Sequence, residues 1–189
     1  MTCIVVCTGK SLQRFNFRQL DGLPCIAVNH AYKSIPEAMA CVAIDDKFYR
    51  EECNSLHNFD GTFYTAYGEN LYNSIPAWLK VEHLQCRKTI GFDKPPFICH
   101  GFNSGYTAVH LAANLGYTDI RVIGMDLYGS HYFDNKRDKF GYMDLIWKFE
   151  AMKAEMPNKY MVTVYNEKSK LTVFPRKPLN TLLDGLVNL

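Results

Sequence analysis

The chain carries almost no surplus of either charge. Lysine and arginine number 21 against 19 aspartates and glutamates, a formal net charge of +2. Proteins that hold nucleic acid mainly by neutralising phosphates need a basic excess, so that class is excluded. Long apolar runs are missing as well: none approaches the roughly 18 residues of a membrane-spanning helix. The opening Met1-Thr2-Cys3-Ile4 has no positive n-region, so a signal peptide is not expected and a cytoplasmic location is. The seven cysteines include no C-x-x-C pair. Their odd count, in a chain of 189 residues, argues against a disulfide framework and leaves zinc without a ligand pattern. Repeats, linkers and low-complexity tracts are absent. Apolar residues are not scarce, at 48% with 14% aromatic, which excludes an intrinsically disordered chain. The length suits one domain over residues 1–189.

Five short apolar runs stand out. Ile4-Val5-Val6-Cys7 leads into Thr8-Gly9-Lys10-Ser11, Cys25-Ile26-Ala27-Val28 into Asn29, and Cys41-Val42-Ala43-Ile44 into Asp45-Asp46. Ile120-Arg121-Val122-Ile123 leads into Gly124-Met125-Asp126, and Met161-Val162-Thr163-Val164 into Tyr165-Asn166. Strands buried on both faces read this way, and parallel sheets are built from them. Between them, Tyr106, Val109, His110 and Ala113 recur at helical spacing behind Asn103-Ser104 and ahead of Gly116. Residues 144–156 are rich in helix formers and stop at Pro157. A strand at 62–66 and helices at 69–80 and 178–189 are expected with them. The alternation predicts an α/β fold, a single Rossmann-like domain with a mostly parallel sheet flanked by helices on both faces.

In such a sheet, ligands bind beyond the carboxyl ends of the strands, where strand order reverses. The candidates are therefore the residues that end each run: Thr8, Gly9, Lys10, Ser11, Asn29, Asp45, Asp46, Asn103, Ser104, Gly105, Asp126 and Tyr128. They are small and polar, suited to phosphate and ribose. Gly9-Lys10-Ser11 is not a Walker A loop, because Ile4 occupies the place of its first glycine. It reads either as a plain turn with a capping serine or as a short phosphate turn. Asn103-Ser104-Gly105 opens a helix, either as a cap or as an anion site. Asp45 and Asp46 offer oxygen ligands to a metal, with magnesium the candidate cofactor, or ribose acceptors, or a helix cap. His131, in the loop after Asp126, is a candidate acid-base group. Lys136, Arg137 and Lys139 lie in a charged segment, read as a solvated loop or as a basic lid.

Together these residues resemble the bacterial sialyltransferases that decorate lipooligosaccharide. They also resemble the wider set around them, which includes flagellin glycosyltransferases of the motility-associated-factor type and archaeal 6-hydroxymethylpterin diphosphokinase-like proteins. Val5 to Leu12 is similar to the family's opening strand and G-N-G-P-S-L turn, and Asn29 to an asparagine that contacts the nucleotide. Asn103-Ser104-Gly105-Tyr106 with Leu115-Gly116-Tyr117-Thr118-Asp119-Ile120 resembles the T-S-G helix and L-G-Y-K-E-I, and Gly124-Met125-Asp126-Leu127-Tyr128 resembles G-I-D-F-Y. The segment from Tyr165-Asn166 to Ser169-Lys170-Leu171 is similar to the closing strand and N-S-x-L turn.

The resemblance implies a glycosyltransferase-like enzyme that binds a cytidine monophosphate sugar, or another nucleotide-activated sugar, and passes the sugar to an acceptor. Tyr132 falls where a family tyrosine supports the departing phosphate. No histidine stands where the family has its general base. Asp144 is near that place with Tyr142 beside it, and His131 lies in the preceding loop. Lys10 replaces a proline and Asp45 or Asp46 an asparagine, which keeps open a diphosphokinase-like phosphotransferase using a nucleoside triphosphate and magnesium. A non-catalytic nucleotide-binding module is the third alternative. A nucleotide or nucleotide-sugar, an acceptor and a homo-oligomeric copy are the expected partners.

Overall fold

The computed structural model describes residues 1–66, 79–133 and 143–186. Seven strands form one sheet: β1 (Thr2–Val6), β2 (Cys25–Val28), β3 (Ala40–Val42), β4 (Thr62–Thr65), β5 (Val81–His83), β6 (Asp119–Ile123) and β7 (Met161–Val164). Among the described residues three α-helices accompany them: α1 (Asp46–Glu52), α2 (Ser104–Asn114) and α3 (Met143–Glu155). The strand order is β5-β4-β3-β2-β1-β6-β7, and every pairing is parallel.

Each of the five apolar runs supplies a strand because both faces of the sheet are covered. The residues of β1 pointing one way, Cys3 and Val5, join a core with α2 and α3 side chains such as Val109, Phe149 and Met152. The alternate residues Ile4 and Val6 join a second core with Phe48 and Tyr49 of α1, Leu12 and Leu182. This is the two-sided burial that makes a strand uniformly apolar. Strand β5 carries no such signature, since Val81, Glu82 and His83 at the sheet edge are exposed or half-buried.

Two helical expectations need comment. Residues 69–78 of the helix expected at 69–80 lie outside the described residues, and Leu79 and Lys80 are not helical. The helix expected over 178–189 is corrected: the described part holds only a 3-10 turn, Leu179–Thr181. Here the Arg121 guanidinium takes the carbonyls of Leu182 and Asp184, and Gly185 turns the chain at a φ of +76°. Those carbonyls accept from a side chain of β6, where a helix would engage them within its own turns.

Strand order reverses between β1 and β6. From β1 the chain runs outward through β2 to β5, and from β6 it runs the other way to β7. Val6 pairs with Ile123, so the turns that follow β1 and β6 emerge side by side. Cys7 N donates to Ile123 O at 2.9 Å and Gly9 N to Gly124 O at 2.7 Å.

Candidate functional site

A cleft of about 560 Å³ opens at this switch point. It gathers Thr8 and Gly9 after β1, Asn29 after β2, Asp45 before α1, and Asn103, Ser104 and Gly105 at the start of α2. Asp126 and Tyr128 after β6, His131 in the next loop and Asp144 on α3 complete the set of expected residues on its wall. Residues some 120 positions apart meet because parallel strands bring all their carboxyl ends to one edge.

Four expected residues stand off this wall. Lys10 is exposed at the start of a 3-10 turn, Lys10–Leu12. Ser11 turns toward the protein: its N–H and its hydroxyl both donate to the Asp126 carboxylate, at 2.8 and 2.6 Å. Asp46 ion-pairs with Arg50 one turn along α1, at 3.2 Å. The Tyr132 hydroxyl meets that of Ser34 at 2.7 Å, with its ring against Phe17. Tyr142, Lys136, Arg137 and Lys139 lie outside the described residues.

The floor is built tightly. Asp126, 2% exposed, accepts from Ser11 and, at 2.7 Å, from Asn166 Nδ2. A Cβ at Gly9 would come within 2.5 Å of Asp126 Cγ and nearer still to the Gly124 carbonyl, so the turn admits glycine alone. Ser104 Oγ accepts the N–H of Ile44 at 3.2 Å, which ties the start of α2 to the end of β3. Asn103 caps α2 by accepting from Tyr106 N at 2.9 Å. The amides of Ser104 and Gly105 donate to no backbone carbonyl among the described residues, and the positive end of the helix dipole lies there.

Backbone strain converges on this cleft. Among the described residues, those other than glycine with positive φ are Asn29 (50°), Phe102 (55°) and Leu127 (55°), and all three line it. Such conformations cost about 1 kcal/mol or more each and persist where the surroundings impose them. The Asn29 Oδ1 is also buried with no hydrogen-bond partner among the described residues.

A side lobe of about 290 Å³ shares Thr8, Asn29, Asp45 and His131 with the main cleft and adds His30 and Lys47. His131 Nδ1 and Thr8 Oγ1 are 2.8 Å apart, and the rings of His30 and His131 both lie 5.1 Å from Phe133. His30 Nδ1 is 3.2 Å from Glu52, which also accepts from Tyr32 at 2.6 Å and Lys33 at 2.9 Å. Burial lowers the His30 basicity against the opposing pull of Glu52. Burial works to raise the Glu52 carboxyl, but the Lys33 and Tyr32 hydrogen bonds outweigh it and hold it below its ordinary value.

The metal expectation finds little to stand on. One Asp45 oxygen accepts from Lys47 N at 2.9 Å, capping α1, and Asp46 faces Arg50. No three His, Cys, Asp or Glu side chains gather to hold an ion among the described residues. Among the described residues, Asp45 and Asp46 therefore form no enclosed all-protein site for an ion.

Sequence reasoning missed His30, Phe102 and Lys148. His30 was legible by the same strand-end rule as Asn29, and Lys148 falls one helical turn after Asp144. Nothing local announced Phe102.

Fold and cleft together define a doubly wound, Rossmann-like α/β protein with a ligand-sized opening at its switch point. Among solved structures the chain is similar to the MAf glycosyltransferase from Magnetospirillum magneticum AMB-1. The TM-score is 0.65 and the identity 11%, over 95% of this chain and 33% of that one. The chain thus spans about a third of that protein's length, and the likeness is one of fold. No family model and no curated protein matches the chain.

Proposed function

We propose that the chain is a glycosyltransferase-like enzyme that binds a nucleotide-activated sugar in the switch-point cleft. The observation that carries the reading is Asn29: strained at positive φ, lining the cleft, with its side-chain oxygen buried and unpartnered. An acceptor so placed suits a ribose hydroxyl or a base amino group. The fold likeness to a glycosyltransferase supports it. The phosphate of the donor lies against the open amides of Ser104 and Gly105, where a helix N-terminus favours negative charge. In transfer, an acceptor hydroxyl attacks the anomeric carbon as the bond to the nucleotide phosphate breaks. The proton passes to Asp144 or His131, and the nucleotide departs with both bonding electrons. The phosphotransferase alternative is less well served, because Lys10 stands outside the cleft and Asp46 faces Arg50.

A thermal-shift panel of cytidine, uridine and adenosine mono-, di- and triphosphates, with and without magnesium, tests the reading. A mono- or diphosphate should raise the Tm by about 5–10 °C at about 100 times its Kd, without magnesium. Ser104→Leu should remove the shift, and donor hydrolysis should fall in Asp144→Asn or His131→Gln. Stabilisation only by a triphosphate with magnesium would replace the transferase by the phosphotransferase, and no shift with any nucleotide would sink both.

A further inference from the structure

The α3 side of the cleft mouth carries an aromatic and cationic surface that the proposed chemistry leaves unused. Phe102 stands 68% exposed although its φ is +55°. A buried side chain can offset such strain by packing, but an exposed ring gains little from its surroundings. Trp147, on α3, is 51% exposed. Lys148 lies between them, its Nζ 5.4 Å from the Phe102 ring centroid and 5.9 Å from that of Trp147. One Nζ hydrogen goes to the Gly101 carbonyl at 2.9 Å. The side chain is half-buried, and among the described residues no carboxylate pairs with it. His100 meets Phe102 edge-on at 4.8 Å and brings no counter-charge, since burial and the Lys148 ammonium both disfavour its protonation.

Phe102, Lys148 and Asp144 line the same cleft, with Asp144 one helical turn before Lys148. We infer that Phe102 and Lys148, flanked by Trp147, form a subsite for an anionic pyranose, a carboxylated sugar that serves as acceptor. Its apolar C–H face lies on the Phe102 ring and its carboxylate meets the Lys148 ammonium. A flat aromatic face is complementary to a sugar ring, and a half-buried ammonium with no ion-pair partner among the described residues attracts an anion. A nucleobase would use the ring but offers Lys148 no charge. The word acceptor rests on the transferase reading; the binding of an anionic sugar does not.

Saturation-transfer NMR titrations with methyl glucuronide, methyl glucoside and CMP as probes test the subsite, on the wild type, Phe102→Gly and Lys148→Met. Glycine adopts a φ of +55° freely, so Phe102→Gly removes the ring and keeps the turn. The wild type should bind the glucuronide about fivefold more tightly than the glucoside. Phe102→Gly should weaken both glycosides about tenfold, and Lys148→Met should erase the preference. In both variants CMP affinity should fall by less than glucuronide affinity, as expected of a neighbouring subsite in the same cleft. Equal affinity for the two glycosides in the wild type would overturn the inference, and so would variants that lose CMP and keep the glucuronide. Glucuronide binding in the expected pattern with no nucleotide bound would leave this subsite standing and remove the transferase reading. Nucleotide binding with no response to either glycoside would do the reverse.

Discussion

Asp126 shows how a residue at a strand end can belong to a site without facing a ligand with its whole side chain. Its carboxylate accepts from the Ser11 N–H, the Ser11 hydroxyl and Asn166 Nδ2, which join the turns after β1, β6 and β7. Ser169 Oγ adds a bond to Met125 O at 2.6 Å, and Lys170 N one to Asp126 O at 2.9 Å. Replacing the carboxylate would strand several buried donors, each at a desolvation cost of about 1–3 kcal/mol. Asp126→Ala should therefore lower stability by about 3 kcal/mol, which denaturant melts would read, and a loss near zero would contradict the hub. Gly9→Ala tests the same floor sterically. The added methyl would strike the Gly124 carbonyl and the Asp126 carboxyl, both held in place, so a loss of about 1–3 kcal/mol is expected. Unchanged stability would show that the turn has room to move.

At the scale of elements, α2 is the anchor of the cleft. Ten of its residues are buried, from Ser104 to Ala113, because it crosses β1, β2, β3 and β6 under a covering coil. His110, fully buried, clips that coil down. Its Nδ1 accepts from Cys99 N at 2.9 Å while Nε2 reaches Asp93 O at 2.9 Å, and Phe92 stacks on the ring at 4.4 Å. This arrangement needs the neutral imidazole, and burial lowers the His110 basicity accordingly. His30 and His100 are shifted the same way, also by burial first. Between their folded values and the ordinary histidine value of about 6.5, the unfolded chain binds more protons. Stability from these three is thus full above that value and is lost as pH falls below it. Glu52, Asp93 and Glu155, held below their ordinary values, add their losses only at more acid pH, below about 4.5. The Tm should be flat from about pH 8 to 7 and decline from about 6.5 toward 5. A Tm constant across that window would mean that the three imidazoles titrate as in the unfolded chain.

At the scale of the molecule, the thiols follow the two cores. Cys3, Cys7, Cys25, Cys41 and Cys99 are buried, and all seven cysteines are free. Burial raises the Cys99 thiol to about 11 and Cys25 to about 12, so these side chains act as small apolar groups and not as nucleophiles. No helix among the described residues is long and apolar enough to cross a membrane.

The sheet was legible because two-sided burial writes itself as unbroken apolar runs, and β1, β2, β3, β6 and β7 follow those runs. Strand β5 was not, since an edge strand with one backbone neighbour needs no apolar pattern. Most cleft residues were legible too, because a strand-end polar residue can be read one segment at a time. The sequence by itself determined the parallel α/β architecture and the ring of candidates around its carboxyl edge, since both depend on local composition and period. Only the tertiary structure decided which candidates share one cleft. Ser11 and Asp126 spend hydrogen bonds on each other, Asp46 goes to Arg50, and Phe102, strained and exposed, stands beside Lys148. Those outcomes depend on strand order and on packing between residues far apart in the chain, which no local pattern encodes.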